Sequence, residues 1–426
     1  MTMRADTIAR ATGTAANVFR SVARFLEDPA LAAQVRLTPG AFTRKRVLTL
    51  PRMAALMMSS MIASVQAELD SFFGHLAGSR VRVRKVSAQA FSQARKHFSA
   101  QLFDRVNQYL HTLVAPHCDR FRWQGLRLVA ADGSRLRVST RCNAELKADH
   151  YVFAMFLPGS DLTLHASLHP ADGSERQMLL EALDHLAPDD LLLLDRGYPG
   201  ATMAAILEQR QIPFVMRVDS AKNWVCVRNF LRSGLDTSII ELRAPDRADA
   251  KTYALPRRPT KVRLVRNVTP TGSIGVLITN LLDTERYPST AFSDLFHQRW
   301  RIEEAFKRIK HRLRLEATTG LTYLALQQDF AAKIVADNLC TLAADLQQSL
   351  AEPTEPQTDR ANRTYALGTL KPILAGCLLG LRSALRYLKD ALQAISKARC
   401  RIQPGRHYPR KAKRKPHFHR SYKTLS

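Results

Sequence analysis

The stretch DLLLLDRGYPG, residues 190–200, decides the fold class. Its leucine run, Leu191–Leu194, contains no polar residue and is followed at once by Asp195. An unbroken apolar run predicts a strand buried on both faces, as in the centre of an α/β sheet. Ligands of such sheets bind at the carboxyl ends of the parallel strands. We therefore predict an α/β protein with Asp195 at its functional site.

The segments around this strand support the same class. Short apolar runs predict three consecutive strands upstream, at 126–139, 150–157 and 162–169. Two helices (174–186 and 201–209) and a further buried strand (212–218) are also predicted. Asp132 interrupts the first strand, in LRLVAADGS, so a second acid lies within an otherwise apolar run. Taken singly, Asp132 and Asp195 could each belong to an ordinary turn, because Asp and Gly favour turns.

Residues of about 219–283 predict a β-rich insertion. Its strand-like segments are separated by Pro and Gly and lack helical periodicity: WVCVRNFL, TSIIELRA, TYALP, KVRLVRNV and SIGVLITNLL. Helix returns from Ser293 to about Arg314 and continues to about Lys397.

Both ends of the chain are basic. Residues 1–120 carry 17 Lys and Arg against 7 Asp and Glu, with two predicted helices (49–69 and 87–113) and basic clusters at Arg44–Arg46 and Arg80–Lys85. A DNA-binding module and a solvated basic surface both fit this pattern. The last thirty residues hold eleven Lys and Arg and no acid, which predicts a disordered tail that contacts phosphates. We expect four regions, 1–120, 121–345 (catalytic), 346–397 (helical) and 398–426 (tail).

The composition limits the kinds of molecule that the protein is expected to bind. The formal net charge of +27 calls for a polyanion, with nucleic acid as the first candidate and anionic membrane as the second. The most apolar stretch, 372–381, is ten residues long, whereas a spanning helix needs roughly twenty, so we expect no membrane association and a cytoplasmic protein. The six cysteines form no CxxC pair, which argues against a zinc ribbon and disulfides. No phosphate-binding glycine motif is present, so no nucleotide cofactor is expected.

A third acid lies in FHQRWRIEEAFKRIKHRL, residues 296–313. Phosphodiester cleavage without a covalent protein intermediate needs an activated water and a stabilised leaving oxygen. Two divalent cations about 3.5–4 Å apart can supply both, and carboxylates hold such cations. On one helical stripe this segment would carry Glu303 with three cations, Arg299, Lys307 and Lys310. An ordinary amphipathic helix with ion pairs is the alternative.

The segment resembles the Y-x2-R-x3-E-x6-K signature of the DDE transposases of bacterial insertion sequences. Arg299, Glu303 and Lys310 match at the same spacing, whereas Phe296 replaces the tyrosine. Asp132 in Asp-Gly-Ser and Asp195 in Leu-Asp-Arg-Gly-Tyr resemble the two aspartate motifs of this family, in the same order. The resemblance covers roughly residues 40–345.

The resemblance implies a ribonuclease-H-like sheet in which the two aspartates are neighbours. Asp132, Asp195 and Glu303 would bind two Mg²⁺ ions, for which Mn²⁺ can substitute, and would cleave transposon ends and join them to target DNA. Residues implied or considered as DNA contacts are Arg299, Lys310, Lys307, Phe296, Trp224 (as a base-stacking residue), Arg196 and Tyr198. For Trp224 a core role is the alternative, and at Phe296 one hydrogen bond to phosphate would be missing.

Double-stranded DNA and a homodimer in the paired-end complex are the implied partners. Three other functions stay open at this stage: an inactive transposase-derived DNA-binding protein, a ribonuclease-H-like nuclease without strand transfer, and a basic scaffold protein.

Overall fold

The structure is a computed structural model that describes residues 2–44, 46–118, 122–138, 140–142, 145–147, 149–218, 224–268, 272, 274–311, 313–349 and 359–401. In chain order its elements are α1 (Thr2–Leu26), α2 (Pro29–Val35), α3 (Leu50–Met58), α4 (Val65–Leu76), α5 (Ala88–Arg95), α6 (Gln101–Cys118), β1 (Arg127–Leu136), β2 (Thr140–Cys142), β3 (Glu145–Lys147), β4 (His150–Leu157), β5 (Leu162–Pro170), α7 (Glu175–Ala182), β6 (Asp190–Leu194), α8 (Ala201–Gln209), β7 (Phe214–Val218), α9 (Val225–Ser233), β8 (Thr237–Leu242), α10 (Arg247–Thr252), β9 (Thr260–Val268), β10 (Ile274–Thr279), α11 (Phe292–His297), α12 (Trp300–His311), α13 (Tyr323–Ser349), β11 (Asp359–Ala361), α14 (Arg363–Leu378), α15 (Arg382–Lys397) and β12 (Arg399–Arg401).

Two compact units make up the chain. The sheet unit comprises Ala115–Leu136 and Asp149–Lys307, and the helical unit comprises Met1–Val114, Arg137–Ala148 and Arg308–Ser426. In the helical unit α1, α3, α13, α14 and α15 pack on one another. The N-terminal helices therefore share a unit with the C-terminal ones.

The sheet unit is built on an eight-stranded mixed sheet with the order β5-β4-β1-β6-β7-β10-β9-β8. β5, β4 and β1 are antiparallel, whereas β1, β6 and β7 are parallel. This order and these directions over the first five strands are those of the ribonuclease-H-like sheet, which confirms the predicted fold class.

β6 lies at the centre of this sheet. Leu191 to Leu194 are fully buried, as the apolar run predicts. In the parallel register of β1 and β6, Ala131 pairs with Leu194. The next residue of each strand is the aspartate, so Asp132 and Asp195 emerge side by side.

The predicted insertion extends the same sheet. β10 pairs with β7, and β9 and β8 follow outward. The strand predicted for WVCVRNFL is wrong, because Val225–Ser233 is helix α9. Val227 and Phe230, three positions apart, bury one helical face, and Gly234 ends the helix in the left-handed conformation (φ 73°) that favours glycine. TYALP is also not a strand, since it covers the end of α10 and the loop after it.

Three predicted helices are each divided in two. The 49–69 helix is α3 and α4, because Ser60 has a positive φ of 60° and the Ser64 hydroxyl caps a new helix start by accepting from Ala67 N. The 87–113 helix is α5 and α6, and the 293–314 helix is α11 and α12. A capping residue is a weaker signal in the sequence than the apolar periodicity around it. The periodicity therefore predicts one continuous helix where the structure has two.

Part of the predicted tail is ordered. Arg399–Arg401 forms β12 and pairs with Asp359–Ala361, so disorder is wrong for these three residues. Residues 402–426 lie outside the described residues. Among the helices that the structure describes, none has the length and apolar character needed to cross a membrane.

Candidate active site

The two aspartates reach the site from neighbouring strands. Asp132 lies within β1, whose ladder with β4 continues past it, and its Oδ1 accepts from the amide of Gly133 (2.9 Å). Asp195 follows the last residue of β6. The loop after Asp195 is held by Arg176 on α7, which donates to the carbonyl oxygens of Gly197 and Pro199 (both 2.9 Å).

Glu303 comes from the first turn of α12. Arg301 on the same helix donates to Asp161 Oδ2 (2.9 Å) in the turn between β4 and β5. Ile302 and Phe306 are buried and give the helix its apolar side. These contacts orient Glu303, with an exposed fraction of 26% for its side chain.

Arg299 joins the three acids. Its Nη1 lies 3.8 Å from Asp132 Oδ2, and its Nη2 lies 3.5 Å from Asp195 Oδ2 and donates to Glu303 Oε1 at 3.2 Å. The Arg299 side chain is 2% exposed. Acids that are widely separated in the sequence are therefore within reach of one cation. Arg299 itself lies in the turn between α11 and α12 and not on α12. The helical stripe predicted to carry Arg299, Glu303, Lys307 and Lys310 therefore begins at Glu303.

Burial sets the electrostatics of the site. Desolvation, the largest cause, raises the pKa of Asp132 to about 6, with smaller raising contributions from Glu175 and Asp195, while Arg299 and the Gly133 amide act in the opposite direction. Desolvation also raises the pKa of the Tyr198 hydroxyl well above its usual value, and the charges of Glu175 and Asp132 add to this. A nearby cation would favour the ionised form of these carboxylates.

The donor set fits a hard divalent cation. Carboxylate oxygens are the ligands that Mg²⁺ and Mn²⁺ prefer. Asp195 Oδ1 is buried and accepts no hydrogen bond from a described residue, with Arg217 Nη1 4.0 Å away, so this oxygen has capacity for a ligand. As the acids are oriented, however, no three described His, Cys, Asp or Glu side chains form a ready metal cluster, and each of the three acids faces Arg299 instead.

The remaining predicted contacts differ in exposure. Lys307 and Arg196 are exposed, and Lys310 lies on α12 two turns beyond Glu303. Phe296 is buried, with the Arg299 guanidinium carbon 5.8 Å from its ring centroid. Trp224 is half-buried and precedes α9.

Sequence reasoning missed Glu175. This residue begins α7, and Tyr151 on β4 donates its hydroxyl to Glu175 Oε1. The only sequence signal was an acid in the first turn of a predicted helix, which is common at helix N-termini for electrostatic reasons.

Comparisons with known proteins identify the family of the chain. The family model described as "Transposase DDE domain" matches residues 123–339. The chain is 25% identical over 318 residues to the transposase InsG for insertion sequence element IS4 of Escherichia coli (strain K12), which covers 68% of this chain and 69% of that protein. A piggyBac transposase in a synaptic complex with hairpin DNA aligns with 91% of this chain and 85% of its own, at a TM-score of 0.41 and 12% identity. With the family match spanning half of its length, and with the motifs that predicted it, this chain belongs to the DDE transposases, enzymes that cleave DNA and transfer its strands.

Proposed function

We propose that this chain cuts the ends of a transposable element and joins them to target DNA, with Asp132, Asp195 and Glu303 as ligands of two Mg²⁺ ions. Mn²⁺ would substitute. The observation that carries the proposal is the convergence of the three carboxylates on Arg299. The three acids come from β1, the end of β6 and α12, and their side chains are 22–30% exposed. Packing of the fold does not require acids from three elements to meet, whereas binding of cations does.

The bound ions would supply activation of the attacking oxygen and stabilisation of the leaving oxygen of the phosphodiester. The chain's own residues would hold the ions and position the DNA. Arg299 offsets the repulsion between the acids and holds them in one orientation. Its Nε and Nη1 donate no hydrogen bond to a described residue, although they are buried. These donors fit the oxygens of a terminal phosphate, in agreement with a phosphate-binding role for this residue.

Further DNA contacts are proposed around the site. Lys307, Lys310 and Arg196 would contact phosphates, because flexible cations near the acids position the backbone without reading sequence. Trp224 would stack on a base near the transposon end. The ring of Phe296 is buried against Arg299, which supports packing against that arginine more than a direct contact with DNA. Tyr198 is also buried, so it would support the site and not contact the DNA directly.

The helical unit offers a second surface for DNA. Arg20 and Arg24 on α1 and Arg382 and Arg386 on α15 line a cleft of about 640 Å³. All four arginines are exposed, and none forms an ion pair with a described acid. Each helix presents its two arginines one turn apart, which suits contacts with successive phosphates of one strand. Together with the net charge of +27, this cleft supports double-stranded DNA as the partner.

We also propose a homodimer in the paired-end complex and action in the bacterial cytoplasm, where the chromosome lies. The molar mass of the chain bound to end DNA, measured by light scattering, tests the dimer. One chain per DNA end without pairing of ends would contradict it.

The experiment for the function compares single substitutions of the acids on DNA that carries the element's ends. Asp132→Asn, Asp195→Asn and Glu303→Gln should each abolish Mg²⁺-dependent nicking and leave end binding within a few fold of the unmodified chain. Asp184→Asn is the matched control, since Asp184 belongs to the same unit but its side chain is 86% exposed and pairs with Arg210. It should cleave normally.

Each outcome decides between functions. Normal nicking by any of the three variants removes that residue from the site. Nicking without joining of cleaved ends to a target plasmid would identify a nuclease, and binding without Mg²⁺-dependent nicking in the unmodified chain would identify an inactive DNA-binding relative.

A further inference from the structure

A fourth carboxylate lies against both aspartate motifs. Glu175, the first residue of α7, is half-buried, and its Oε1 accepts the hydroxyl of Tyr151 from β4. β4 is the antiparallel neighbour of β1, with Tyr151 opposite Arg135 and Phe153 opposite Gly133. The tyrosine therefore fixes the glutamate beside the segment of β1 that carries Asp132.

Two glycines show how close this carboxylate comes. A Cβ built on Gly133 would lie 2.8 Å from Glu175 Oε1 and would also clash with the Tyr151 ring. A Cβ on Gly197 would lie 3.7 Å from Oε2. Gly133 follows Asp132 and Gly197 is two residues after Asp195, so Glu175 spans the gap between the two motifs. Oε1 is used by Tyr151, whereas Oε2 accepts no hydrogen bond from a described residue.

A buried polar group also points to a ligand at this place. Tyr198 is 1% exposed, and its hydroxyl has no hydrogen-bond partner among the described residues. The charges of Glu175 and Asp132 both act on it. A buried hydroxyl without a partner is costly, so a ligand such as a water molecule or a phosphate oxygen would satisfy it.

Negative charge is concentrated in this cluster. Asp132, Asp195 and Glu303 all face Arg299, and Asp195 also faces the more exposed Arg217 at 4.0 Å, whereas Glu175 forms no ion pair with a described side chain. Four carboxylates at one edge of a sheet repel one another unless cations lie between them. A divalent cation supplies that charge, and its oxygen ligands are those the cluster offers.

We propose that Glu175 is a fourth carboxylate ligand of the divalent cations at this site, held in place by Tyr151. The inference rests on the proposed function, since it assigns a further ligand to the same ions. It also gives the glycine of the Asp-Gly motif a purpose, because the absence of a side chain at Gly133 leaves the space that the Glu175 carboxylate occupies.

The test measures Mn²⁺ binding to the full chain without DNA by isothermal titration calorimetry. Glu175→Gln should weaken Mn²⁺ binding by about tenfold or more, because a neutral amide of the same shape is a poor ligand. Glu181→Gln, on the same helix but away from the cluster, is the matched control and should bind Mn²⁺ like the unmodified chain. Asp195→Asn is the reference for loss of a principal ligand.

The outcomes separate the two proposals. If Asp195→Asn loses Mn²⁺ binding while Glu175→Gln retains it, the role of Glu175 is overturned and the proposed function stands. If neither substitution changes Mn²⁺ binding, the proposed metal site itself is overturned. Should Glu175→Gln fail to fold by circular dichroism, Tyr151→Phe replaces it: this variant keeps the carboxylate but not its anchor, and should weaken binding several fold. Unchanged affinity in Tyr151→Phe would then overturn the proposal.

Discussion

Nη2 of Arg299 lies 3.5 Å from Oδ2 of Asp195, and the arginine side chain is 2% exposed. A buried cation beside an acid stabilises the fold only while both partners are present, since removal of one leaves an uncompensated charge. Arg299 serves three acids in this way. Arg299→Met should therefore lower the free energy of unfolding without divalent ions by about 2 kcal/mol or more. Mg²⁺ should restore part of this loss. Urea denaturation in EDTA and in Mg²⁺ measures both effects.

Arg217 provides the control for this prediction. It also faces Asp195, at 4.0 Å, but its side chain is 47% exposed. An exposed pair contributes little, so Arg217→Met should cost less than about 1 kcal/mol. Equal losses in the two variants would show that burial of Arg299 among the acids does not matter.

The close approach of Glu175 to Gly133 leads to a second prediction. Gly133→Ala would bring a methyl group 2.8 Å from the Glu175 carboxylate and into the Tyr151 ring, so both must shift. We expect a loss of about 1–3 kcal/mol in the free energy of unfolding, typical of overpacking, together with slower nicking. Gly197→Ala meets only ordinary contacts at 3.7 Å and should change the free energy of unfolding by about 0.5 kcal/mol or less. Urea denaturation and nicking rates of the two variants check this, and a Gly133→Ala chain that behaves like Gly197→Ala would contradict it.

The sequence predicted the parts of the fold that depend on local composition. β6 follows from the leucine run, and both β6 and α8 have nearly the predicted bounds. The meeting of Asp132 and Asp195 was implied by the family resemblance, and the parallel pairing of β1 with β6 brings it about. Glu303 required the family motif, since no local pattern distinguishes an acid that faces a site from one in an ordinary ion pair.

The missed features depend on tertiary contacts. Nothing near Tyr151 or Glu175 in the sequence indicates that they meet, because their contact follows from the packing of α7 beside β4. The helix α9 was missed because Val and Cys favour strands, while burial of Val227 and Phe230 on one face favours a helix in the folded chain. The strand or helix propensity of single residues is a weak signal where tertiary packing determines the secondary structure.

A stacked histidine pair makes stability depend on pH. The rings of His165 and His185 lie 3.9 Å apart. Desolvation, followed by the charges of His185 and His169, lowers the pKa of His165 to about 3 from 6.5. Between these values the unfolded chain binds a proton that the folded chain does not. Stability is therefore complete above about pH 6.5 and is lost as the pH falls, by about 2 kcal/mol at pH 5 from this residue.

Removal of the titrating ring tests this. His165→Phe keeps an aromatic ring against His185 and should flatten the loss of unfolding free energy between pH 7 and pH 5, as measured by urea denaturation at each pH. His75→Gln, at an exposed position of the helical unit, should leave the pH dependence unchanged. If His165→Phe keeps the slope of the unmodified chain, other groups cause the acid sensitivity.

The arginine cleft of the helical unit predicts a salt-dependent contribution to DNA binding. Each phosphate contact releases counterions, so the logarithm of the binding constant falls with the logarithm of the salt concentration by about 0.9 per contact. Arg382→Ala with Arg386→Ala should therefore reduce this slope by up to about two and weaken binding to all DNA sequences alike. The matched pair Lys389→Ala with Lys397→Ala removes the same charge from exposed positions on α15 that do not line the cleft. Its slope should change by clearly less, because cations far from the DNA release few counterions. Equal changes in the two double variants would mean that net charge, and not the cleft, attracts the DNA.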